Sequence, residues 1–237
     1  MTVRVRGRRK TERGATLLEG AIVLPIVIAL LFGVIEFSLF FKDSLTVSQV
    51  TREGARAGSI DGNDPLIDYY ILQAIKKSFT GLDGNILSIV IWNAAGPDNP
   101  DVPAACQGDP AGLRGVRSDG SNPAVVSESV IGSCNVYPVS ALDQPRTEWT
   151  TAGTDMATRA SYWPPSKRVV GSNPNLVVRH PVGVPVCVPG STQPICAGPD
   201  YAAVWVKTTH NFITGFFSSG PAIITDSTMI RLEPKNS

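Results

Sequence analysis

Histidine is nearly absent from this sequence: in 237 residues only His180 and His210 carry an imidazole, and neither has a nucleophile and an acid arranged beside it. No G-x-S-x-G elbow, no G-x-G-x-x-G and no P-loop occur. The serine-hydrolase, dinucleotide-binding and nucleoside-triphosphatase classes therefore lose their local signatures. The four cysteines contain no C-x-x-C, which with so little histidine removes the spacing of a structural zinc site. The acidic run Asp98-Asn99-Pro100-Asp101 is interrupted by proline and lacks the loop-end glutamate of a calcium site, so it reads as a solvated turn. No catalytic residue, no metal and no cofactor is expected. Net charge is also scarce, at +1. Its distribution is uneven: residues 1–14 hold Arg4, Arg6, Arg8, Arg9, Lys10 and Arg13 against Glu12. Six positive charges against one negative give a local +5, which leaves −4 for the rest of the chain.

A long apolar run directly after the basic arm accounts for that charge. Leu17 to Phe41 read LLEGAIVLPIVIALLFGVIEFSLFF, about 25 residues that reach roughly 37 Å as a helix. A hydrocarbon core is roughly 30 Å thick. The run is too long for a secretory peptide, and no A-x-A cleavage pattern comes after it. Pro25 inside it is tolerated better in lipid than in water. Basic charge on the N-terminal flank holds that end in the cytoplasm and sends the remainder across. The arm is thus a topology signal, and nucleic acid is not an expected partner.

Beyond the span, Val47, Val50, Gly54 and Ala57 recur at helical spacing, with Arg52, Glu53 and Arg56 off that stripe and Gly58 a plausible stop. One helix over residues 15–57 would be roughly 65 Å long, and only about half of it fits in lipid. Asp64-Pro65 gives the N-cap and first position of a second helix. Its apolar face is Ile67, Ile71, Ala74, Ile75 and Phe79, with Asp68, Gln73, Lys76 and Lys77 facing water. Asn85 to Trp92 (NILSIVIW) reads as a central strand, because it is β-branched and almost wholly apolar. Residues 93–200 are punctuated by Pro, Gly, Ser and Asn, and read as an insertion with short strands rather than one structureless loop. Tyr201 to His210 and Ile223 to Glu233 look like two further strands. The connection between them, NFITGFFSSGPA, either covers one end of a sheet or rests at the membrane interface. All four cysteines fall on the oxidising side, so two disulfides are expected. Cys106–Cys134 and Cys187–Cys196 are the favoured two of the possible pairings, the latter closing the loop VPGSTQPI.

The stretch ERGATLLEGAIVLP places Gly14, then Ala15, then Glu19 before the apolar helix. This resembles the processing site of prepilins, cut after the glycine on the cytoplasmic side by a membrane aspartyl peptidase. FGVIEF (Phe32 to Phe37), TREGARAG (Thr51 to Gly58) and STMIRLEP (Ser227 to Pro234) add to it. Together they resemble TadE-like proteins, the minor pilin-like components of tight-adherence (Flp-type) pilus systems. The resemblance covers the first 60 residues or so, and less fully the last 35. Larger relatives carry a D-x-S-x-S metal motif, which is missing here.

The resemblance implies an α+β, pilin-like fold: a long N-terminal transmembrane helix continuing into an ectodomain with a short helix, an antiparallel sheet and a disulfide-bonded insertion. The expected organisation begins with a basic cytoplasmic leader, 1–14, removed on maturation, and a long helix, 15–58, in the membrane to about residue 41. An ectodomain helix and strand (59–92), the insertion (93–200) and C-terminal strands (201–237) complete it. A prepilin peptidase, other pilin-like subunits and the pilus assembly machinery are the implied partners, with the membrane. Once the leader is removed, the Ala15 amine lies about one turn from Glu19, and the glutamate of one subunit can meet the amine of its neighbour. An unpaired carboxylate in an apolar helix is costly, and the helix N-terminus favours an anion. Glu36, about 25 Å further along, is either a solvated interfacial acid or a packing contact. Gly54, Ala55, Ala57 and Gly58 would admit either a partner helix or the protein's own sheet. The expected role is a structural component for pilus or secretion-filament assembly. Two rivals are a single-pass accessory or adhesin that keeps its leader, and an extracytoplasmic binding protein or enzyme with its site in 93–200.

Overall fold

A computed structural model of the chain describes residues 12–60, 62, 64–79, 86–94, 101–108, 114–116, 134–150, 163, 165, 168, 201–215 and 220–232. The Cys187–Cys196 expectation lies outside them.

Helix α1 runs unbroken over Glu12–Ile60, 49 residues with Pro25 inside. Its two halves have different surroundings. In the inner half the large apolar side chains are bare, Leu17 at 76% and Leu30 at 66% exposure among them. In the outer half Val47, Val50, Thr51, Gly54, Ala55 and Gly58 are buried, a stripe that recurs every three to four residues. The helix does not stop at Gly58. A Cβ there would lie 3.0 Å from Ile71 Cδ1, so this glycine serves close packing against the second helix instead of ending the first.

Helix α2 (Ile67–Ser78) packs its Ile67, Ile71, Leu72 and Ile75 into the core. It begins two residues after the expected Pro65. Asp64 Oδ1 accepts from Leu66 N at 2.7 Å and the Asp64 carbonyl accepts from Ile67 N at 3.0 Å. Asp64 therefore closes a turn ahead of the helix and leaves Leu66 as N-cap. Asp68 is a larger correction: it is fully buried, not solvated.

Strands β1 (Ile86–Ala94), β2 (Arg114–Val116), β3 (Cys134–Tyr137), β4 (Tyr201–His210) and β5 (Ala222–Arg231) form one antiparallel sheet in the order β2-β3-β1-β4-β5. The fold is α+β, as expected, and β1 is the central strand. Both of its faces are covered, which is why its sequence is apolar throughout. Ile89 and Ile91 point to the helices with Val204 and Val206. Val90 and Trp92 point the other way, with Val136, Ala203, Trp205, Val102 and the Cys106–Cys134 disulfide. That disulfide ties a short 3-10 turn (Ala104–Cys106) to β3 and brings the segment 101–108 across the second face. At 28 residues of separation, such a bridge stabilises by about 3–4 kcal/mol in the chain-entropy picture.

Candidate functional site

The inner half of α1 gives the first surface. Within Leu17–Ile60 an 18-residue window has a mean hydropathy of 2.6, and only 6% of it is buried. Among the described residues this is the one helix long and apolar enough to cross a membrane. A helix that is apolar all round and uncovered by its own domain needs lipid or other helices around it. Glu19 lies on this bare segment and is itself exposed. Gly14 and Ala15 fall within α1.

The second surface is the seam between α1 and the β4–β5 hairpin. The helix runs antiparallel to β4, and three of its polar residues clamp the hairpin in turn. Glu36 is 1% exposed, so the solvated interfacial reading fails. Its Oε1 accepts from the Thr214 backbone N–H and from Thr214 Oγ1 at 2.6 Å, and its Oε2 accepts from Ile213 N at 3.2 Å. Two helical turns further out, Asp43 Oδ2 meets His210 Nδ1 at 2.6 Å, with both side chains 2% exposed. Phe40 and Phe212 both meet that imidazole edge to face, at centroid distances of 5.5 and 5.1 Å. Thr51 Oγ1 then donates to Asp226 Oδ2 at 2.6 Å and lies 3.0 Å from Thr228 Oγ1.

The rest of the predicted stripe divides by function. Gly54 is buried, and a Cβ on it would stand 2.9 Å from Ile75 Cγ1 and 3.4 Å from Val204 Cγ1. Its smallness therefore serves α2 and β4 of the same chain, not a partner helix. Arg52 and Arg56 are exposed and Glu53 is half-buried, so this charged trio borders the seam without forming it. Sequence reasoning overlooked Asp43 and considered His210 only for metal or catalysis. A signal existed: 36, 40, 43, 47, 50 and 54 keep the seam's spacing, with two acids on an otherwise apolar line.

A third constellation fixes the insertion. Asp68 of α2 receives Tyr137 Oη at 2.6 Å and Asn135 Nδ2 at 2.8 Å on one oxygen, and faces Arg168 Nη2 at 2.7 Å with the other. Asn135 also exchanges hydrogen bonds with the Trp163 backbone, and the Arg168 guanidinium stacks over the Trp163 ring at 4.4 Å. Burial, together with the Asp68 charge beside it, pushes the Tyr137 hydroxyl well above the usual tyrosine range. The phenol thus stays a proton donor, and the cluster is a structural tie with no exposed reactive group. Among the described residues no group of three or more His, Cys, Asp or Glu is placed to hold a metal.

The family model described as TadE-like protein matches residues 14–56. The match begins at the glycine of the prepilin-like junction and ends within the part of α1 that packs on the sheet, so it supports the resemblance along the helix. STMIRLEP lies outside it. No curated protein and no solved structure matches the chain.

Proposed function

We propose that this protein is a minor pilin-like, or pseudopilin-like, structural component that helps assemble a tight-adherence (Flp-type) pilus or a related secretion filament. The observation that carries the proposal is the division of α1. One continuous helix leaves its inner half bare and apolar while its outer half forms the spine of the domain. The TadE-like match covers that same helix. Such a subunit can rest in the bilayer through the inner half. It can then exchange lipid for neighbouring helices on entering a filament, because van der Waals packing replaces one apolar surrounding with another.

In this reading a prepilin peptidase removes residues 1–14, and Ala15 becomes the mature N-terminus. The N-terminal end faces the cytoplasm, and the sheet lies outside together with the strands and the disulfide that residues 93–200 contribute to it. Glu19 meets the Ala15 amine of an adjacent pilin-like subunit, which neutralises two charges that neither apolar surrounding solvates. The role is one of assembly and not of catalysis.

The deciding measurement is the N-terminus of the protein purified from its native membrane, by semi-specific peptide mass spectrometry. A mature start at Ala15 is expected. A start at Met1 or Thr2 would sink processing and leave a single-pass accessory or adhesin that keeps its leader.

A further inference from the structure

The β4–β5 connection has an unusual combination of features for a loop at the end of a sheet. Ile213, three residues past the end of β4, is 74% exposed, yet the backbone N–H groups of Ile213 and Thr214 are both taken by Glu36. Phe212 stacks on Phe40 of α1 at a centroid distance of 6.4 Å. An open apolar cavity of about 330 Å³ lies beside it, lined by Glu36, Phe37, Phe40, Phe212 and Ala222. Phe37 and Phe41 of the helix are 68% and 54% exposed and stack on each other at 6.4 Å. Bare apolar surface from two separate chain segments is therefore continuous at one level of the molecule.

That level is where a bilayer would end. Leu17 to Glu36 spans 19 helical steps, about 29 Å, against a hydrocarbon thickness of roughly 30 Å. With Leu17 near the inner boundary, Glu36 and the Ile213–Thr214 backbone bonded to it fall at the outer one. Irregular backbone is tolerated there only when its polar groups are satisfied within the protein, and the Glu36 carboxylate does this for two N–H groups and one hydroxyl. In return the donors neutralise an acid that would be costly at that depth.

We propose that residues 212–214, at the start of the β4–β5 connection, are a second lipid contact, in which Ile213, with Phe37 and Phe41, dips into the outer interface of the bilayer while Glu36 positions that backbone. This rests on the membrane-spanning reading of α1. Two contacts at one level fix the tilt and height of the sheet over the membrane, where a single helix would leave the domain free to swivel.

Full-length protein in nanodiscs of phosphatidylcholine brominated near the headgroup provides the test, with tryptophan fluorescence as the readout. The native Trp92, Trp149, Trp163 and Trp205 are at most 7% exposed, so the unaltered protein is the blank. Ile213→Trp should lose fluorescence in brominated lipid to an extent comparable with Leu30→Trp, in mid-span. Arg231→Trp, at the far end of the hairpin about 30 Å away, should lose none. Adding Glu36→Ala to Ile213→Trp should reduce the quenching while leaving that of Leu30→Trp intact. Quenching at Leu30 without quenching at Ile213 overturns the lipid contact and assigns Ile213 to water or a protein neighbour. No quenching at Leu30 overturns the span and the contact together. Unchanged quenching with Glu36→Ala removes Glu36 from its positioning role.

Discussion

Glu36, Asp43 and Asp68 are acids buried in apolar surroundings, and each is compensated differently: by loop N–H and hydroxyl donors, by an imidazole, and by a guanidinium with a phenol and an amide. Desolvating a carboxylate costs several kcal/mol, so the partner decides whether the site stabilises the fold or disrupts it. Asp68 illustrates why such residues are hard to read from sequence. It lies off the main apolar stripe of α2 and looks like a solvated helix acid, because its cationic partner is 100 positions away in an insertion without helical or strand periodicity. Truncating it leaves the Arg168 charge buried and unpaired. Asp68→Ala should therefore destabilise the domain by about 3–5 kcal/mol. Asp68→Asn, which keeps an acceptor for Tyr137, should cost less. Thermal melts of the full chain in detergent, tracked by the near-ultraviolet circular dichroism of the buried tryptophans, would measure both. An Asp68→Ala melt superposable on that of the unaltered protein would show that the cluster does not hold the insertion.

Helix α1 and the three long strands were legible because their burial is periodic or continuous along the chain itself. The apolar run to Phe41 and the spacing of Val47, Val50 and Gly54 specify a helix. The nearly unbroken apolar run of β1 similarly specifies a strand covered on both faces. Where the expectations moved, the causes differ: Ile71 packs on Gly58, a tertiary contact that overrules a local stop signal, whereas the Asp64 turn, itself local, competes with the cap and delays α2. Of the short strands, β3 overlaps an apolar run legible at Asn135 to Val139, while β2, with three residues, carries too little period to register. At this scale Gly54 and Gly20, both in α1, make a controlled comparison. Gly54→Val drives a branched side chain toward Ile75, already 2.9 Å from the first added carbon, and should cost about 1–3 kcal/mol by overpacking. Gly20→Ala meets nothing within 4 Å and should leave the domain's melting unchanged. Equal melts for both variants would mean that the outer half of α1 is not held at the distance from α2 and β4 that Gly54 allows.

Across the whole molecule, the same helix is a core element at one end and a bare apolar rod at the other. Among the described residues the core is built on the outer half of α1, from Glu36 on, so under the proposed role folding and assembly should be separable. Substitutions between Leu17 and Ile35 should alter what the protein joins without altering how it folds. Glu19 is the sharpest case, because its side chain is exposed in the isolated chain and, in the role proposed above, takes its partner from a neighbouring subunit. A charge-assisted hydrogen bond contributes about 1.5–3 kcal/mol, so its loss should weaken incorporation by about tenfold or more. Glu19→Ala should consequently reach the membrane at normal abundance, with unchanged melting of its domain, and fall sharply in sheared filament fractions. The N-terminal residue of the variant should be read in the same preparation, since a start still at Ala15 separates an assembly defect from a processing defect. Normal filament yield with a start at Ala15 would refute the pairing of Glu19 with a neighbour's amine. The inner half of α1 would then act in assembly through its apolar surface alone.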